Sequence, residues 1–382
     1  MNVESLIRPE ILTMEPYTPI VPFEVLSARF GRPPSEIIKL DANENPYGPS
    51  PRALAAISSL QFSNIYPDPE STALRAALSR DLNLPAENIL CGAGADELID
   101  LVLRLFIRSG DAVIDCPPTF GMYSFDTAIN AGTLIKISRH DDFAVDVLAI
   151  EALLTSNQLP ITNYQSPKIL FLASPNNPDG SLLSDSDLRS LLALPLIVVL
   201  DEAYIEFSGM PGHAGWVLEH GNLIVLRTFS KRGGLAGLRV GYGIFPSALM
   251  PHLWKIKQPY NVSVAASAAA IASLADSEHM AEVVKRLVAE LNRMAEALSE
   301  LPFIKVYPSN SNFVLCRVIG RDAKELKLKL EERGILVRYF NKPGLTDCIR
   351  ISAGKPEHTD ELTSVLRNML RDQNSPRRRK ER

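Results

Sequence analysis

The chain has 382 residues, 46% hydrophobic and 22% charged, an ordinary globular composition with room for more than one domain. Its net charge of −4 offers no basic field for nucleic acid, and Cys91, Cys116, Cys316 and Cys348 are scattered without a C-x-x-C pair, which argues against zinc and against a disulfide framework. Residues 1–26 are interrupted by Pro9, Pro16, Pro19 and Pro22, the small-apolar run 262–275 is too short and serine-rich to span a bilayer, and the six histidines lack metal-ligand spacing, so a soluble, cytoplasmic protein is expected.

In chain order, the proline-rich residues 1–36 read as a segment that packs on the domains or on a partner. Short apolar or β-branched runs then predict strands at 88–91, 112–115, 133–137, 168–174, 196–200 and 223–226. In "ADELIDLVLRLFIRSG", Leu98, Leu101, Val102, Leu105 and Phe106 form one apolar helical face, with Ser109-Gly110 as the expected stop. Alternating strands and helices predict an α/β fold with a mostly parallel central sheet covered by helices, whose ligands bind at the carboxyl ends of the strands. After about residue 270 the pattern changes. A long amphipathic helix, "EHMAEVVKRLVAELNRMAEALSELP", precedes two strands in "FIKVYPSNSNFVLCRVIG", a helix in "AKELKLKLEERG" and a strand in "DCIRISAG". The expected division is a large domain at 37–270, a smaller α+β domain at 271–370, and a disordered basic tail at 371–382.

Four predicted strand ends carry polar loops. Gly92-Ala93-Gly94-Ala95-Asp96 exposes backbone N–H groups at a helix start, which suits a phosphate, although an ordinary helix start fits equally well. The third glycine of a dinucleotide fingerprint is missing. "SPNNPDG" follows the strand at 168–174 and reads, alone, as a tight turn. Asp201 follows four aliphatic residues in "DEAYIEF"; a carboxylate there needs a cation, unless it is an N-cap or a magnesium ligand, and no P-loop accompanies it. Lys231, in "TFSKRGGLAGLRVGY", ends the strand at 223–226, and a lysine in a part-buried site beside positive charge becomes a nucleophile toward carbonyls. An anion cradle, amides, a buried carboxylate and a lysine together fit pyridoxal phosphate: a Schiff base to the lysine, the carboxylate on the pyridine nitrogen, and the phosphate on the amides and Ser230.

These motifs, with "LDANENPYGPSP", "YPDPESTALRAALS", "CPPTFGMY" and "IRISAG", resemble the fold-type I pyridoxal-phosphate aminotransferases over about residues 17–370, and among them the histidinol-phosphate aminotransferases. The resemblance implies that Lys231 is the Schiff-base lysine and proton shuttle, Asp201 holds the pyridinium, and Asn177 and Tyr204 bond the cofactor's phenolic oxygen. It implies Phe120 against the ring, the phosphate on Gly94, Ala95, Asp96, Ser230 and Arg239, and Tyr66 supplied by a partner subunit. Tyr17, Asn177, Arg338 and Arg350 become substrate contacts. The implied substrates are histidinol phosphate and the glutamate/2-oxoglutarate pair, in a homodimer with shared active sites and no nucleic-acid, membrane or metal partner. An aromatic amino acid aminotransferase, a threonine-phosphate decarboxylase-like enzyme and a non-catalytic scaffold stay open as alternatives. Two stretches depart from the pattern: Arg232-Gly233-Gly234, where relatives carry an alanine-aromatic-glycine run, and "PYTPIVPFEVL", which lacks a glycine after its second proline.

Overall fold

The structure is a computed structural model that describes residues 1–14, 16, 21–155 and 166–374. The strands in chain order are β1 (Ile38–Leu40), β2 (Ile89–Gly92), β3 (Ala112–Asp115), β4 (Thr133–Lys136), β5 (Ile169–Ala173), β6 (Ile197–Asp201), β7 (Leu223–Thr228), β8 (Gly241–Ile244), β9 (Ile304–Val306), β10 (Phe313–Val318), β11 (Ile335–Tyr339) and β12 (Cys348–Ser352). The chain divides into two compact units: Met1–Thr18, Gly48–Asn177 and Ser181–Met280 form one, and Pro19–Tyr47, Pro178–Gly180 and Ala281–Arg382 bound the other.

The first unit is built on a seven-stranded sheet of order β2-β8-β7-β6-β5-β3-β4. The strands from β4 to β7 are parallel, and β8 runs antiparallel between β7 and β2. β3, β5 and β7 are buried at every position, because helices cover both faces of a parallel sheet. Successive residues still point to opposite faces. Leu170, Leu172, Val198, Leu200 and Val225 enter one apolar cluster, while Phe171, Val199, Ile224, Leu226 and Tyr123 enter the other. The small-residue stretch becomes the helix Val264–Leu274, which buries Ala266, Ala269, Ala270 and Ser273.

The second unit holds a five-stranded sheet of order β1-β11-β12-β10-β9, with β1 parallel to β11 and the other pairs antiparallel. Along the helix Ser277–Ser299, Met280, Val283, Leu287, Leu291, Met294 and Leu298 are buried at steps of three and four, which is the stripe that the sequence pattern predicts.

Several boundaries differ from expectation. The helix Ala95–Phe106 stops before Ser109-Gly110: Ile107 is extended and buried, and the Arg108 N–H donates to Asp111 Oδ2 at 2.8 Å, so a turn replaces the last helical residues. The N-terminal segment expected at 1–36 is split between the units, and the first unit resumes at Gly48 rather than 37, because β1 pairs with β11. The expected cut at 270/271 lies before the boundary at Met280, and residues 371–374 belong to the helix Pro356–Asn374 rather than to a tail. Residues 375–382 lie outside the described residues.

β8 shows why glycine stands where a strand former would be usual. A Cβ built on Gly241 would lie 2.6 Å from the Ala95 nitrogen and 2.8 Å from the Gly94 carbonyl carbon, so the backbone of the helix start crosses directly against this strand. Gly241→Ala is expected to lower the unfolding free energy by about 1–3 kcal/mol through overpacking. Gly237→Ala, with no atom within 4 Å of its Cβ, should stay within about 0.5 kcal/mol. Urea unfolding of the two variants makes the comparison; equal losses would contradict the crowding.

Candidate active site

The carboxyl ends of β5, β6 and β7 converge on one patch of the first unit. Asp201 closes β6 and is 5% exposed. Its Oδ2 accepts the Tyr123 hydroxyl at 2.8 Å and its Oδ1 accepts the Ala203 N–H at 3.0 Å. Burial pushes the carboxyl up to about 6, against the lowering effect of these bonds and of the Lys231 charge. Tyr123 is fully buried, stacked on Phe171 with ring centroids 5.0 Å apart and edge-on to Phe120 at 5.6 Å. Burial, then the Asp201 charge, holds its hydroxyl well above the ordinary phenol range, so it stays a donor.

Lys231 follows β7. The Thr228 hydroxyl bonds Ser230 Oγ at 2.9 Å and accepts the Ser230 N–H at 3.0 Å, and a turn closes from Gly234 N–H to Lys231 O at 3.2 Å. The Lys231 ammonium lies 5.4 Å from the Tyr204 ring centroid. In the Arg232-Gly233-Gly234 stretch both glycines stand where a side chain would be crowded. A Cβ on Gly233 would meet Phe229 O at 2.8 Å, and one on Gly234, at φ +64°, would meet Gly48 O at 2.4 Å.

The anion cradle forms at the start of the helix Ala95–Phe106. Gly94 caps it at φ 84°, and a Cβ there would lie 2.5 Å from Arg239 Nη2. Arg239 reaches Asp96 Oδ2 at 2.9 Å and Ser230 Oγ at 3.5 Å. The Arg239 and Asp96 side chains are 48% and 43% exposed, so their pairing is weak and leaves the guanidinium available to a stronger anion. From behind, Glu97 Oε2 accepts the Ala93 N–H at 2.6 Å and Asn261 Nδ2 at 2.7 Å, fixing the glycine loop.

Asn176, fully buried, joins two loops: its Oδ1 accepts the Thr119 hydroxyl at 2.7 Å, and its Nδ2 donates to Pro118 O at 3.0 Å. This seats Asn177, after β5, near the loop that carries Phe120. Tyr66 is 79% exposed and stacks on Tyr260 at 4.8 Å. Tyr17 lies outside the described residues.

In the second unit, Arg338 and Arg350 are register partners across β11 and β12 and therefore share a face. Arg350 is 6% exposed, with Nη2 donating to Asp41 O at 2.8 Å and its guanidinium 5.1 Å from the Phe313 ring centroid. Like charges directly across a ladder repel, so this face suits an anion.

Tyr123, Glu97 and Asn261 were not singled out from the sequence. Tyr123 stands inside the quoted "CPPTFGMY", which was the available signal. Among the described residues no cluster of side chains is suited to a metal ion, and no helix is long and apolar enough to cross a membrane.

The profile of aminotransferase class I and II matches residues 35–366. This chain belongs to that family. The aminotransferase is 52% identical to the chloroplastic histidinol-phosphate aminotransferase of Nicotiana plumbaginifolia over 96% of this chain and 87% of the relative. It is 50% identical to histidinol-phosphate aminotransferase of Roseiflexus castenholzii over 96% and 99% of the two chains. The solved histidinol-phosphate aminotransferase of Sinorhizobium meliloti, in complex with pyridoxal-5'-phosphate, superposes with a TM-score of 0.84 at 29% identity, covering 96% and 98% of the chains.

The burial of Asp201 has a pH signature. Its folded value lies above its unfolded one, so the ionised form destabilises the cofactor-free aminotransferase; the penalty is absent below about pH 4 and complete above about pH 6. Asp201→Asn, whose Oδ1 can keep the Ala203 N–H bond while its Nδ2 donates to the Tyr123 hydroxyl oxygen, is expected to stabilise the cofactor-free protein by about 1–3 kcal/mol at pH 8 and to be neutral at pH 4. Urea unfolding at the two pH values tests this, and a less stable Asn variant at pH 8 would contradict it.

Proposed function

We propose that the protein is a pyridoxal-phosphate-dependent aminotransferase that interconverts L-histidinol phosphate and 2-oxoglutarate with imidazole-acetol phosphate and L-glutamate, a step of histidine biosynthesis. The observation that carries this reading is the convergence of Asp201, Lys231 and the Gly94–Arg239 cradle at neighbouring strand ends. The donor set fits the cofactor. Asp201 is a buried carboxylate raised by burial and in want of a cation, which a protonated pyridine nitrogen supplies. The cradle offers a helix N-terminus, the Ser230 hydroxyl and a half-exposed guanidinium, a set suited to a phosphate dianion.

When bound, pyridoxal phosphate provides an electron sink for the charge left as the substrate carbon loses its proton. The chain's own groups do the rest. Asp201 keeps the ring nitrogen protonated, and Tyr123 fixes the orientation of Asp201 through Oδ2. Lys231 Nζ would hold the cofactor and serve as the acid–base group that moves the substrate proton, a contribution of roughly 10²–10⁴-fold. Asn177 and the Tyr204 hydroxyl would hold the cofactor's phenolic oxygen, and Phe120 would pack against its ring. We assign Arg338 and Arg350 the anionic end of each substrate, the phosphate of histidinol phosphate in one half-reaction and a carboxylate of glutamate in the other, with Asn177 and Tyr17 as further substrate contacts. The working form in this reading is a homodimer in which the exposed Tyr66 reaches the partner's phosphate site. Four buried free thiols suit a reducing compartment, which we take to be the cytoplasm.

Lys231→Ala should fold, abolish turnover and lose the borohydride-reducible link to the cofactor; near-normal transamination would refute the assignment. Mixing Tyr66→Phe with Lys231→Ala subunits should restore activity through dimers that hold one intact site, and no recovery after confirmed subunit exchange would argue against shared sites. With 2-oxoglutarate as acceptor, histidinol phosphate should exceed histidinol and phenylalanine by at least about 100-fold in kcat/KM, since each charge-assisted bond contributes roughly 1.5–3 kcal/mol. Arg338→Ala should erode that preference more than it lowers activity on phenylalanine. Equal use of histidinol and its phosphate would leave a general aminotransferase.

A further inference from the structure

We propose that Glu202 and Arg227 are positioning residues for the reaction, an ion pair beneath the sheet that sets Asp201 and Lys231 relative to each other; the inference rests on the roles just assigned to those two residues. Glu202 follows Asp201 and points to the opposite face. Asp201 lies with Tyr123 and the cluster of Val199 and Leu226, whereas Glu202 lies on the face of Leu200 and Val225, with Arg227. Glu202 is fully buried and Arg227 is 7% exposed.

Every acceptor position of Glu202 is engaged. Oε2 accepts Arg227 Nε at 2.9 Å and Nη2 at 2.7 Å, while Oε1 accepts the His213 N–H at 2.6 Å and lies 3.0 Å from His213 Nδ1. His213 Nε2 continues to Asp185 Oδ1 at 3.0 Å, and Arg227 Nη2 donates to Pro211 O at 3.2 Å. Burial would raise the Glu202 carboxyl, and the bonds from His213 and Arg227 more than offset it, holding it below the usual carboxylate range. The loop closes over the pair at Gly212, φ +73°, where a Cβ would lie 2.4 Å from Arg227 Nη2 and 2.7 Å from Glu202 Oε2.

The pair reaches the chemistry through short backbone links. The Glu202 N–H donates to Leu226 O at 2.8 Å, joining the end of β6 to β7. Beyond Arg227, Thr228 bonds Ser230, and Lys231 follows. A second, looser anchor sits on the far side of the lysine: Arg232 Nε lies 3.7 Å from Glu206 Oε1 and Nη2 4.0 Å from Asp81 Oδ2, and Glu206 belongs to the turn Ile205–Phe207 directly after Tyr204. Both chemically assigned strand ends are thus tied together by an ion pair on the sheet face opposite Asp201. Stability alone is a poor reason for such a pair, since apolar side chains of similar volume are often as stabilising or more so. What an apolar pair lacks is the fork of directional bonds that fixes one strand end against the other.

The test uses the holoenzyme and three variants: the double replacement Glu202→Met/Arg227→Met, the conservative Arg227→Lys, and Glu202→Gln. Positioning predicts that the folded double variant loses roughly 10- to 100-fold in kcat with KM for glutamate changed less than about 3-fold, the scale of a small misplacement. It also predicts a shifted pH midpoint of the visible band of the bound cofactor, with Arg227→Lys and Glu202→Gln in between on both readouts. A folded double variant with wild-type kcat and an unmoved midpoint overturns the proposal and leaves a purely structural pair. Should the double variant not fold, Arg227→Lys and Glu202→Gln decide by the same two readouts, because each is closer in size and polarity to the native residue. Failure of the functional reading is separate: wild-type protein with neither the visible band nor transamination would refute that reading before any variant is compared.

Discussion

The structure turns on a carboxylate placed where water does not reach. Asp201 ends a strand whose preceding residues are all apolar, and burial there disfavours its charge. The surroundings answer this in parts. Tyr123 and the Ala203 N–H satisfy the oxygens, Lys231 adds a positive field, and the remaining demand is for a cation in direct contact. Parallel strands make such a site possible, because their carboxyl ends come to one edge while both faces of the sheet stay dry. The lysine, the glycine cradle and the amide loop stand at that edge for the same reason.

Much of this was legible from residue order. Asp201 directly follows four aliphatic residues, the Gly94–Asp96 stretch follows an apolar run, and Lys231 comes five residues after the apolar run at 223–226; a polar group at such a point needs a reason. Unread features depended on distant partners. The Tyr123–Asp201 bond spans 78 positions along the chain, and Tyr123 sits in a helix whose pattern alone reads as core. β8 carries no strand signal in the sequence because glycine is a poor strand former, and the crossing backbone of Gly94 and Ala95 explains its glycines. β1 has three residues, and its partner β11 is far along the chain, so the division of the N-terminal segment had no local signal.

The second unit follows a different rule. Its sheet is mostly antiparallel, and register rather than strand ends brings its charges together. Arg338 and Arg350 were expected on neighbouring strands, and their pairing is direct. Arg350, flanked by Ile349 and Ile351, is buried rather than solvated. Aromatic rings answer part of that burial: Phe313 and Phe340 lie 5.1 and 5.7 Å from its guanidinium.

The antiparallel insertion of β8 makes β7 and β8 a hairpin paired residue to residue up to Thr228 and Gly241, which close the loop between them. Lys231 stands near one arm and Arg239 near the other, so the chain length between them acts as a ruler. Lengthening or shortening it by one residue would either break the Thr228–Gly241 closure or turn one of the two cations away from its partners. Gly237 leaves open space for a side chain, so in this stretch chain length constrains the chemistry more than residue identity does at that position.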